Sequence, residues 1–263
     1  LLGITLEKLF ELTDYVYDDT NGNSTKDEGD TFGLYYALGW NTGCIGVGAG
    51  YTIGAMDGNK YALHFDTPEN QKVVDALQNL LFNNRGSFGV PEADLKYFKN
   101  NLTLFMQNHL SMMEELRDLP FDYSVAPLPK YSADGDYRTY CLELICVDGI
   151  SAGVKSDRRE EVATVMEAMA AAGKKYLTEG YYEIALRTKY ARNSNSYQTL
   201  EIVRSSIWIE FGIAWCGALQ QIDTFLDQLT GNLSSAAASA QPKYDKILSG
   251  LYTNLKKAAE AAE

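Results

Sequence analysis

The sequence contains few of the residues on which catalysis and metal binding most often depend. Among its 263 residues there are two histidines, His64 and His109, and the four cysteines form no C-x-x-C pair. Histidine-based acid–base chemistry and the common zinc and redox motifs are therefore not expected. The cysteines are too few and too scattered for a disulfide framework, and we expect them to be small buried residues: Cys44, Cys141, Cys146 and Cys216.

Long apolar runs and a surplus of positive charge are also missing. No stretch approaches the ~18 apolar residues that a membrane-spanning helix needs. Acidic residues outnumber basic ones by 35 to 23, which gives a formal net charge of −12. Because nucleic-acid binders carry a basic patch or stripe, we expect no nucleic-acid partner, and an anionic membrane surface is disfavoured for the same reason. The share of hydrophobic residues, 46%, is that of a globular protein.

Hydrophobic periodicity predicts helices and strands mixed along the chain, which indicates an α/β protein. Helices are expected over 5–18, 67–81, 92–100, 108–116, 157–172 and from about 242 onward. Strands are expected near 32–39, 52–56, 61–65, 102–106, 122–126 and 138–147. Thr67 is the expected cap of the second helix, with Pro68 at its first position.

Two glycine-containing motifs lack the context that their usual chemistry requires. Gly46–Gly50 resembles a phosphate loop, but no Lys-Ser/Thr follows it, so we expect a flexible loop. Gly149–Gly153 matches the G-x-S-x-G pattern of serine hydrolases, in which a histidine follows the serine. Both histidines of this chain lie upstream of that motif, so a serine hydrolase is not expected.

The clearest local motif is the polar segment Asp19–Asp30. Oxygen-bearing side chains recur at its positions 1, 3, 5 and 9, with an acid at position 12. At this spacing a loop wraps a hard cation such as Ca²⁺. Ser24 stands where the EF-hand has glycine, and Asp30 stands where it has the longer glutamate, a reach that we assign to Glu28. The expected ligands are the side chains of Asp19, Asn21, Asn23, Asp27 and Glu28 and the carbonyl of Thr25; the alternative is a solvated turn.

The high content of amphipathic aromatic residues favours a ligand such as a sugar, which has flat ring faces and hydroxyl groups. The chain has 18 tyrosines, 10 phenylalanines and 3 tryptophans, so tyrosine is the commonest ring. Amphipathic rings suit the faces of sugars, while acids and amides bind hydroxyl groups. Core packing is the alternative for any single ring, and an ion pair between helices is the alternative for Arg192. The candidate ligand-binding residues are Trp40, Arg192, Trp208 and Trp215.

Four segments, taken in their order and spacing, resemble one known family. They are the helix Thr5–Leu12 with the loop and Phe32-Gly33-Leu34 behind it, the stretch Tyr123–Lys130, the helix around Val165–Met169, and the stretch Tyr181–Asn193. Together they resemble the extracellular solute-binding proteins of bacterial ABC importers, of the family-1 carbohydrate type. The resemblance covers roughly 5–34 and 120–215, and Asn193 stands where the family usually has aspartate.

The resemblance implies an α/β, periplasmic-binding-protein-like (class II type) architecture with two lobes. By this resemblance, 1–128 is second-lobe material, 129–190 returns to the first lobe, and 191–263 supplies C-terminal helices that pack across both. By the same resemblance we expect the chain to begin after the early strands of the first lobe, and its cleft to be incomplete. In some members the Asp/Asn loop binds calcium, which supports a structural Ca²⁺ here.

The function implied by the resemblance is capture rather than chemistry. We expect a monomer that binds a sugar or oligosaccharide and delivers it to an ABC transporter permease. Its expected location is extracellular, either periplasmic or lipid-anchored at the cell surface. The alternatives are a carbohydrate-active enzyme, which needs two carboxylates facing each other across a cleft, and an interaction module without a ligand.

Overall fold

A computed structural model describes residues 2–92, 94–141, 149–151, 153–190, 194–209, 211–216 and 233–260. The chain forms two compact units. One unit comprises Leu1–Asn108, Pro127–Glu143 and Val203–Glu263, and the other comprises His109–Ala126 and Leu144–Ile202. The assignment of 1–128, 129–190 and 191–263 to lobes stays a prediction. Within these described ranges, no helix has both the length and the apolar character needed to cross a bilayer.

The elements alternate along the chain as an α/β protein requires. The strands are β1 (Tyr17–Asp18), β2 (Thr31–Ala37), β3 (Gly54–Asp57), β4 (Lys60–Leu63), β5 (Ser87–Val90), β6 (Thr103–Met106), β7 (Thr139–Tyr140) and β8 (Ile207–Trp208). The α-helices are α1 (Leu6–Asp14), α2 (Trp40–Gly48), α3 (Pro68–Gln78), α4 (Lys96–Lys99), α5 (Ser156–Ala172), α6 (Ser194–Ser205), α7 (Phe211–Cys216) and α8 (Leu233–Glu260). A 3₁₀ turn spans Leu110–Glu114, and π-helical segments span Asn79–Asn83 and Gly173–Tyr190.

The central sheet of the first unit is built around β2. This strand pairs in parallel with β5 on one edge and with β6 on the other, and β1 pairs with its first residues in the antiparallel direction. The amides of Gly33 and Leu34 both donate to the carbonyl of Gly86, at 2.8 and 2.9 Å. Two residues of β2 thus face the single residue Gly86. This arrangement is a β-bulge, which reverses the alternation of side chains between the two faces of the sheet. As a result the side chains of Phe32 and Tyr35 belong to a small cluster on one side of the sheet. Those of Leu34 and Tyr36 belong to the larger core on the other side.

The larger core lies on the Leu34 side of the sheet. It combines buried apolar residues of α1, α2, α3 and α8 with those of the β3–β4 hairpin. Helix α8 contributes a stripe at helical spacing: Leu233, Ala237, Ala240, Tyr244 and Leu248. The opposite side holds a small aromatic cluster in which Tyr35 stacks on Tyr97 at 4.3 Å between ring centroids. The scaffold of this unit is therefore a mixed sheet, parallel in β2, β5 and β6, with buried apolar residues on both of its faces.

Helix α1 ends in a tight corner against β2 and the turn before β5. A Cβ atom at Gly33 or at Gly86 would overlap the backbone of Thr13, so only glycine allows the close approach. The buried amide of Asn84 donates to Thr13 Oγ1 at 2.8 Å and to the carbonyl of Phe10 at 3.1 Å. Asn84 Oδ1 accepts the Gly86 amide at 2.7 Å. Every polar group of this side chain thus has a partner, as a buried amide requires.

The predicted hairpin and the helix that follows it are confirmed. Strands β3 and β4 pair from Gly54↔Leu63 to Asp57↔Lys60, and Gly58 has the left-handed φ of 59° that the turn needs. The hydroxyl of Thr67 accepts the Asn70 amide at 3.1 Å and so caps α3, with Pro68 in its first turn. The predictions of a helix from residue 5, of a strand near 102–106 and of a helix over 157–172 are also confirmed.

Three predictions about local structure are wrong. The glycine-rich stretch is helix α2 rather than a flexible loop, because the residues from Asn41 to Ala49 are buried all round and no amphipathic period marks them. The segment 122–126 forms no strand, and α8 begins at Leu233 rather than near 242. Of the strand expected over 138–147, β7 is seen, and 142–148 lies outside the described residues.

Candidate functional site

The segment Asp19–Asp30 folds into a compact loop whose polar side chains converge. The carboxylate of Asp19 accepts the amides of Asn23 at 3.1 Å and Ser24 at 2.7 Å. The carboxylate of Asp27 accepts the side-chain amides of Asn21 at 3.0 Å and Asn23 at 2.6 Å. The structure therefore brings together three of the side chains that the spacing predicts as ligands, those of Asn21, Asn23 and Asp27, while Asp19 binds the main chain of the same loop.

The backbone of the loop also follows the EF-hand pattern at its sixth position. Ser24 has a φ of 60°, in the left-handed region that favours glycine and that this position of an EF-hand loop requires. The amide of Gly29 donates to Asp27 Oδ1 at 2.8 Å. This hydrogen bond and those from the Asn23 and Asn21 side chains hold the pKa of Asp27 below its usual range. Asp27 is thus kept as an anion in the middle of the loop.

The two acidic candidates at the end of the loop differ sharply in their surroundings. Glu28 is exposed, and its Oε2 lies 3.4 Å from Lys96 Nζ. Asp30 is fully buried; its Oδ2 accepts the Asp27 amide at 3.1 Å and the Tyr17 hydroxyl at 3.3 Å. Among the described residues, its Oδ1 has no hydrogen-bond partner although it is buried.

The donor set of this loop fits a hard cation. It combines carboxylates of aspartate with amide oxygens of asparagine, which are ligands that Ca²⁺ takes at 2.3–2.6 Å. A buried carboxylate oxygen without a partner is itself costly unless a positive charge faces it. In the part of the chain that the structure describes, no cluster of three or more His, Cys, Asp or Glu side chains is arranged as a metal site. A cation here would therefore depend on asparagine and main-chain oxygens as well.

A lysine ties the loop to the edge of the sheet. Lys26 Nζ lies 3.3 Å from the carbonyl of Ser87 and 3.5 Å from that of Asn84, and 5.6 Å from the centre of the Tyr17 ring. The Arg85 guanidinium lies 5.5 Å from the same ring. Partial burial lowers the pKa of Lys26. The loop thus packs on the turn that leads into β5 instead of extending freely into solvent.

A second candidate site lies where the order of the parallel strands reverses. The chain passes from β2 to its neighbour β5 and then crosses to β6 on the other edge of β2. In open α/β sheets, ligands bind outside the carboxyl ends of the strands at such a switch point. The residues that follow β2 and β6 at this edge are Leu38–Thr42 and Gln107–Asn108, and we call them the switch-point edge.

The switch-point edge combines a helix N-terminus with side-chain amides. Helix α2 starts there, and its N-cap Gly39 supplies no side-chain hydrogen bond to the first turn. The Asn41 side chain donates to the main-chain carbonyl of Gln107 at 2.8 Å, which joins the ends of β2 and β6. Gln107 Oε1 is buried and, within the described ranges, has no hydrogen-bond partner. Main-chain N–H groups and amides of this kind bind hydroxyl and carbonyl oxygens.

The four candidate ligand-binding residues are distributed unevenly over the structure. Trp40 is the first residue of α2 and so belongs to the switch-point edge. Trp208 is half-exposed, with the Arg138 guanidinium 4.4 Å from its ring, and Arg138 in turn donates to the carbonyl of Gly50 just after α2. Through Arg138, Trp208 is therefore linked to the end of α2 opposite the one at which Trp40 lies. Trp215 lies in α7, and Arg192 lies outside the described residues.

Sequence reasoning missed Asn41 and Gln107. The signal that could have identified Gln107 is a polar amide placed directly after the apolar strand 103–106. Asn41 carries a weaker signal, because three residues, Leu38, Gly39 and Trp40, separate it from the end of β2. Their partnership became visible only when β2 and β6 were placed side by side.

Comparison with known proteins supports the fold. No protein-family model and no curated protein sequence matches the chain. Among solved structures, the chain is similar to the maltose/maltodextrin-binding domain MalE from Bdellovibrio bacteriovorus bound to maltotriose, with a TM-score of 0.53 and 16% identity. The match covers 91% of this chain and 65% of that one, so the chain spans about two thirds of the length of this neighbour. The predicted α/β, periplasmic-binding-protein-like fold is confirmed.

Proposed function

We propose that the chain belongs to a solute-capture protein that binds a sugar or oligosaccharide. The observation that carries this proposal is the shared fold with a domain that holds maltotriose, over 91% of the present chain. In this role the protein binds its ligand without transforming it and passes it to an ABC transporter permease. It works as a monomer outside the cytoplasmic membrane, in the periplasm or at the cell surface.

The switch-point edge is the proposed place of contact with the sugar. Sugar hydroxyls both donate and accept hydrogen bonds, and this edge places the start of α2 beside the side-chain oxygen of Gln107, which has no partner among the described residues. Trp40 supplies an aromatic ring at the same place in the sequence, which suits stacking on a sugar face. Trp208 is the proposed second platform, because its half-exposed ring is backed by Arg138.

The loop Asp19–Asp30 is the proposed site of a structural Ca²⁺. Asp19, Asn21, Asn23 and Asp27 would hold the ion, with the carbonyl of Thr25 as a further ligand. The ion would supply positive charge to a loop in which the Asn21 and Asn23 side chains already contact the Asp27 carboxylate. The role is structural, because the loop connects β1 to β2 at the amino end of β2.

Thermal melting with a panel of mono- and oligosaccharides tests the capture proposal. We expect one sugar class to raise the melting temperature in a dose-dependent, saturating manner, because a ligand that binds only the folded state stabilises it. Replacing Gln107 with methionine keeps the length of the side chain but removes its amide. This variant should weaken sugar binding by about 5- to 10-fold, the value of one hydrogen bond, measured by titration calorimetry.

Tyr15→Ala is the matched control, since Tyr15 is 89% exposed and lies away from the switch-point edge. It should bind the sugar as the unchanged chain does. A chain that melts cooperatively yet shifts with no sugar would overturn the carbohydrate proposal. Equal affinity in Gln107→Met and the unchanged chain would leave capture standing but remove the switch-point edge as the site.

A further inference from the structure

A pocket lies between strand β4 and the C-terminal half of helix α8, within the first unit. Its volume is about 530 Å³, which falls in the range of roughly 300–1,000 Å³ that holds small ligands. None of its lining residues belongs to the switch-point edge or to the loop Asp19–Asp30. We call it the hairpin–helix pocket, and it is lined by Lys60 on β4 and, at helical spacing on α8, by Asp245, Leu248, Ser249, Tyr252, Thr253 and Lys256.

The fold holds the two sides of this pocket together. Leu248 is buried in the larger core, and the Tyr252 hydroxyl accepts the main-chain amide of Tyr61 at 2.6 Å. Lys60 is the residue before Tyr61 on β4, so this hydrogen bond keeps Lys60 beside the helix. Because the Tyr252 oxygen accepts that bond, its own hydrogen, which no described residue accepts, is left to donate to a ligand.

The positive charges that line the pocket are poorly compensated. In the described part of the chain, the Lys60 side chain makes no hydrogen bond, ion pair or ring contact. Lys256 Nζ lies 3.8 Å from Glu260 Oε1, but both of these side chains are well exposed, so water screens the pair. Two ammonium groups thus line one pocket of a chain whose formal net charge is −12. A cleft lined by two charges of one sign favours a ligand of the opposite sign.

The other polar groups of the pocket suit hydroxyl groups. Asp245 Oδ1 accepts the side-chain amide of Gln241 at 2.7 Å, and the carboxylate can accept further hydrogen bonds. Thr253 donates its hydroxyl to the Ser249 carbonyl at 2.9 Å, so Thr253 Oγ1 is left as an acceptor. The Ser249 hydroxyl can both donate and accept. A bare anion would therefore meet the carboxylate of Asp245 without compensation, and a neutral sugar would leave both lysines unpaired.

We propose that the hairpin–helix pocket binds a small sugar that carries an oxyanion, either a phosphate or a carboxylate. Lys60, Lys256 and the Tyr252 hydroxyl bind the oxyanion. The carboxylate of Asp245 and the two neighbouring hydroxyl groups of α8 bind the hydroxyl groups of the sugar. The site shares no residue with the switch-point edge, so the inference goes beyond the proposed capture function and does not depend on it.

Titration calorimetry with three related sugars tests the ligand class. The probes are glucuronate, glucose phosphorylated at its exocyclic hydroxyl, and glucose itself, each added at low ionic strength. We expect at least one of the two charged sugars to bind about 10-fold or more tightly than glucose, the value of a hydrogen bond to a charged group. The charged sugar that binds more tightly identifies the oxyanion as a carboxylate or a phosphate. Added salt should weaken its binding, because ions screen exposed charges.

Three lysine variants locate the binding site. Lys60→Met and Lys256→Met keep an unbranched side chain but remove the charge, and each should weaken binding of the charged sugar about 10-fold. Lys257→Met is the matched control, because it removes the same charge from the next position of α8, which does not line the pocket. It should change the affinity by less than about 2-fold. All three positions are exposed, so these variants should melt like the unchanged chain when no ligand is added.

The outcomes separate this pocket from the proposed capture site. Equal affinities for glucose and for both charged sugars would overturn the pocket as an oxyanion site. Equal losses in Lys256→Met and Lys257→Met would show attraction by overall charge and would also overturn it. Inorganic phosphate that binds as tightly as the phosphorylated sugar would contradict the role of the sugar hydroxyl groups. Gln107→Met should bind the charged sugar as the unchanged chain does, and a loss confined to that variant would place the ligand at the switch-point edge instead.

Discussion

Replacing Asn70 should destabilise the first unit more than any exposed substitution, because this side chain joins the hairpin to helix α3. It is 1% exposed, and its Nδ2 donates to the carbonyls of Thr52 at 2.7 Å, His64 at 3.2 Å and Phe65 at 2.9 Å. Its Oδ1 accepts the Thr52 amide at 3.0 Å. These contacts link both ends of the hairpin to the first turn of α3, so their loss should destabilise the hairpin and the start of the helix together.

The size of the effect follows from the hydrogen bonds that each variant loses. Asn70→Ala removes four hydrogen bonds, each with a net value of about 0.5–1.5 kcal/mol. The carbonyl of Phe65 keeps a donor in the hydroxyl of Tyr51, at 2.9 Å, so we expect about 2–4 kcal/mol in total. Asn70→Asp should cost more at neutral pH, because it places a charged oxygen against three carbonyl oxygens in place of a donor.

Urea unfolding at pH 7, followed by circular dichroism, measures both variants. The midpoint should fall without a change in slope, since stability changes and the folded core does not. Asn79→Ala, an exposed position just after α3, is the control and should fall within about 0.5 kcal/mol of the unchanged chain. If both Asn70 variants cost under about 1 kcal/mol, or if Asn70→Asp proves milder than Asn70→Ala, the reasoning about this buried amide is refuted.

Two further predictions test the packing. Gly86→Ala should lower the free energy of unfolding by about 1–3 kcal/mol because its Cβ meets the Thr13 backbone, whereas Gly250→Ala in α8, where a Cβ meets nothing, should raise it by about 0.5–1 kcal/mol. Urea midpoints measure both, and equal effects would contradict the corner as described. Burial raises the pKa of Tyr51, so its contribution to stability should be complete below pH ~10 and lost as the pH rises further, and Tyr51→Phe should flatten the alkaline decline in melting temperature. A decline of the same steepness in that variant would assign the effect to other groups.

The parts of the fold that sequence predicted well are those decided by neighbours in the chain. The cap of α1 is one example, since the Thr5 hydroxyl accepts the Lys8 amide at 3.2 Å. The cap and proline at Thr67-Pro68 and the turn at Asp57-Gly58 are further examples. In each case the residue type determines a backbone conformation or a hydrogen bond within three or four positions, and distant contacts have no need to intervene.

The errors fall where distant contacts decide. Helix α2 contains several glycines, which weaken a helix in isolation, but a Cβ at Gly48 would lie 2.5 Å from the Leu128 side chain. Glycine is thus required at position 48 by a residue 80 positions away. Without knowledge of that contact, the glycine-rich sequence predicts a flexible loop. The join between Asn41 and the Gln107 carbonyl is hidden for the same reason, because it exists only once β2 and β6 are neighbours.

The polar loop shows the limit of spacing more sharply, because spacing alone does not distinguish the surroundings of its last two acids. Glu28 and Asp30 are both acids at the end of the same segment, and length alone favours Glu28. The sheet gives the two acids different surroundings: Asp18 pairs with Thr31 and Tyr17 with Phe32, so the two ends of the loop are joined by β1 and β2. That pairing brings the Tyr17 hydroxyl to Asp30 and buries its carboxylate, while Glu28 stays outside beside Lys96. Which of the two acids is buried is therefore decided by the pairing of β1 with β2, a contact that the spacing of residues within the loop does not reveal.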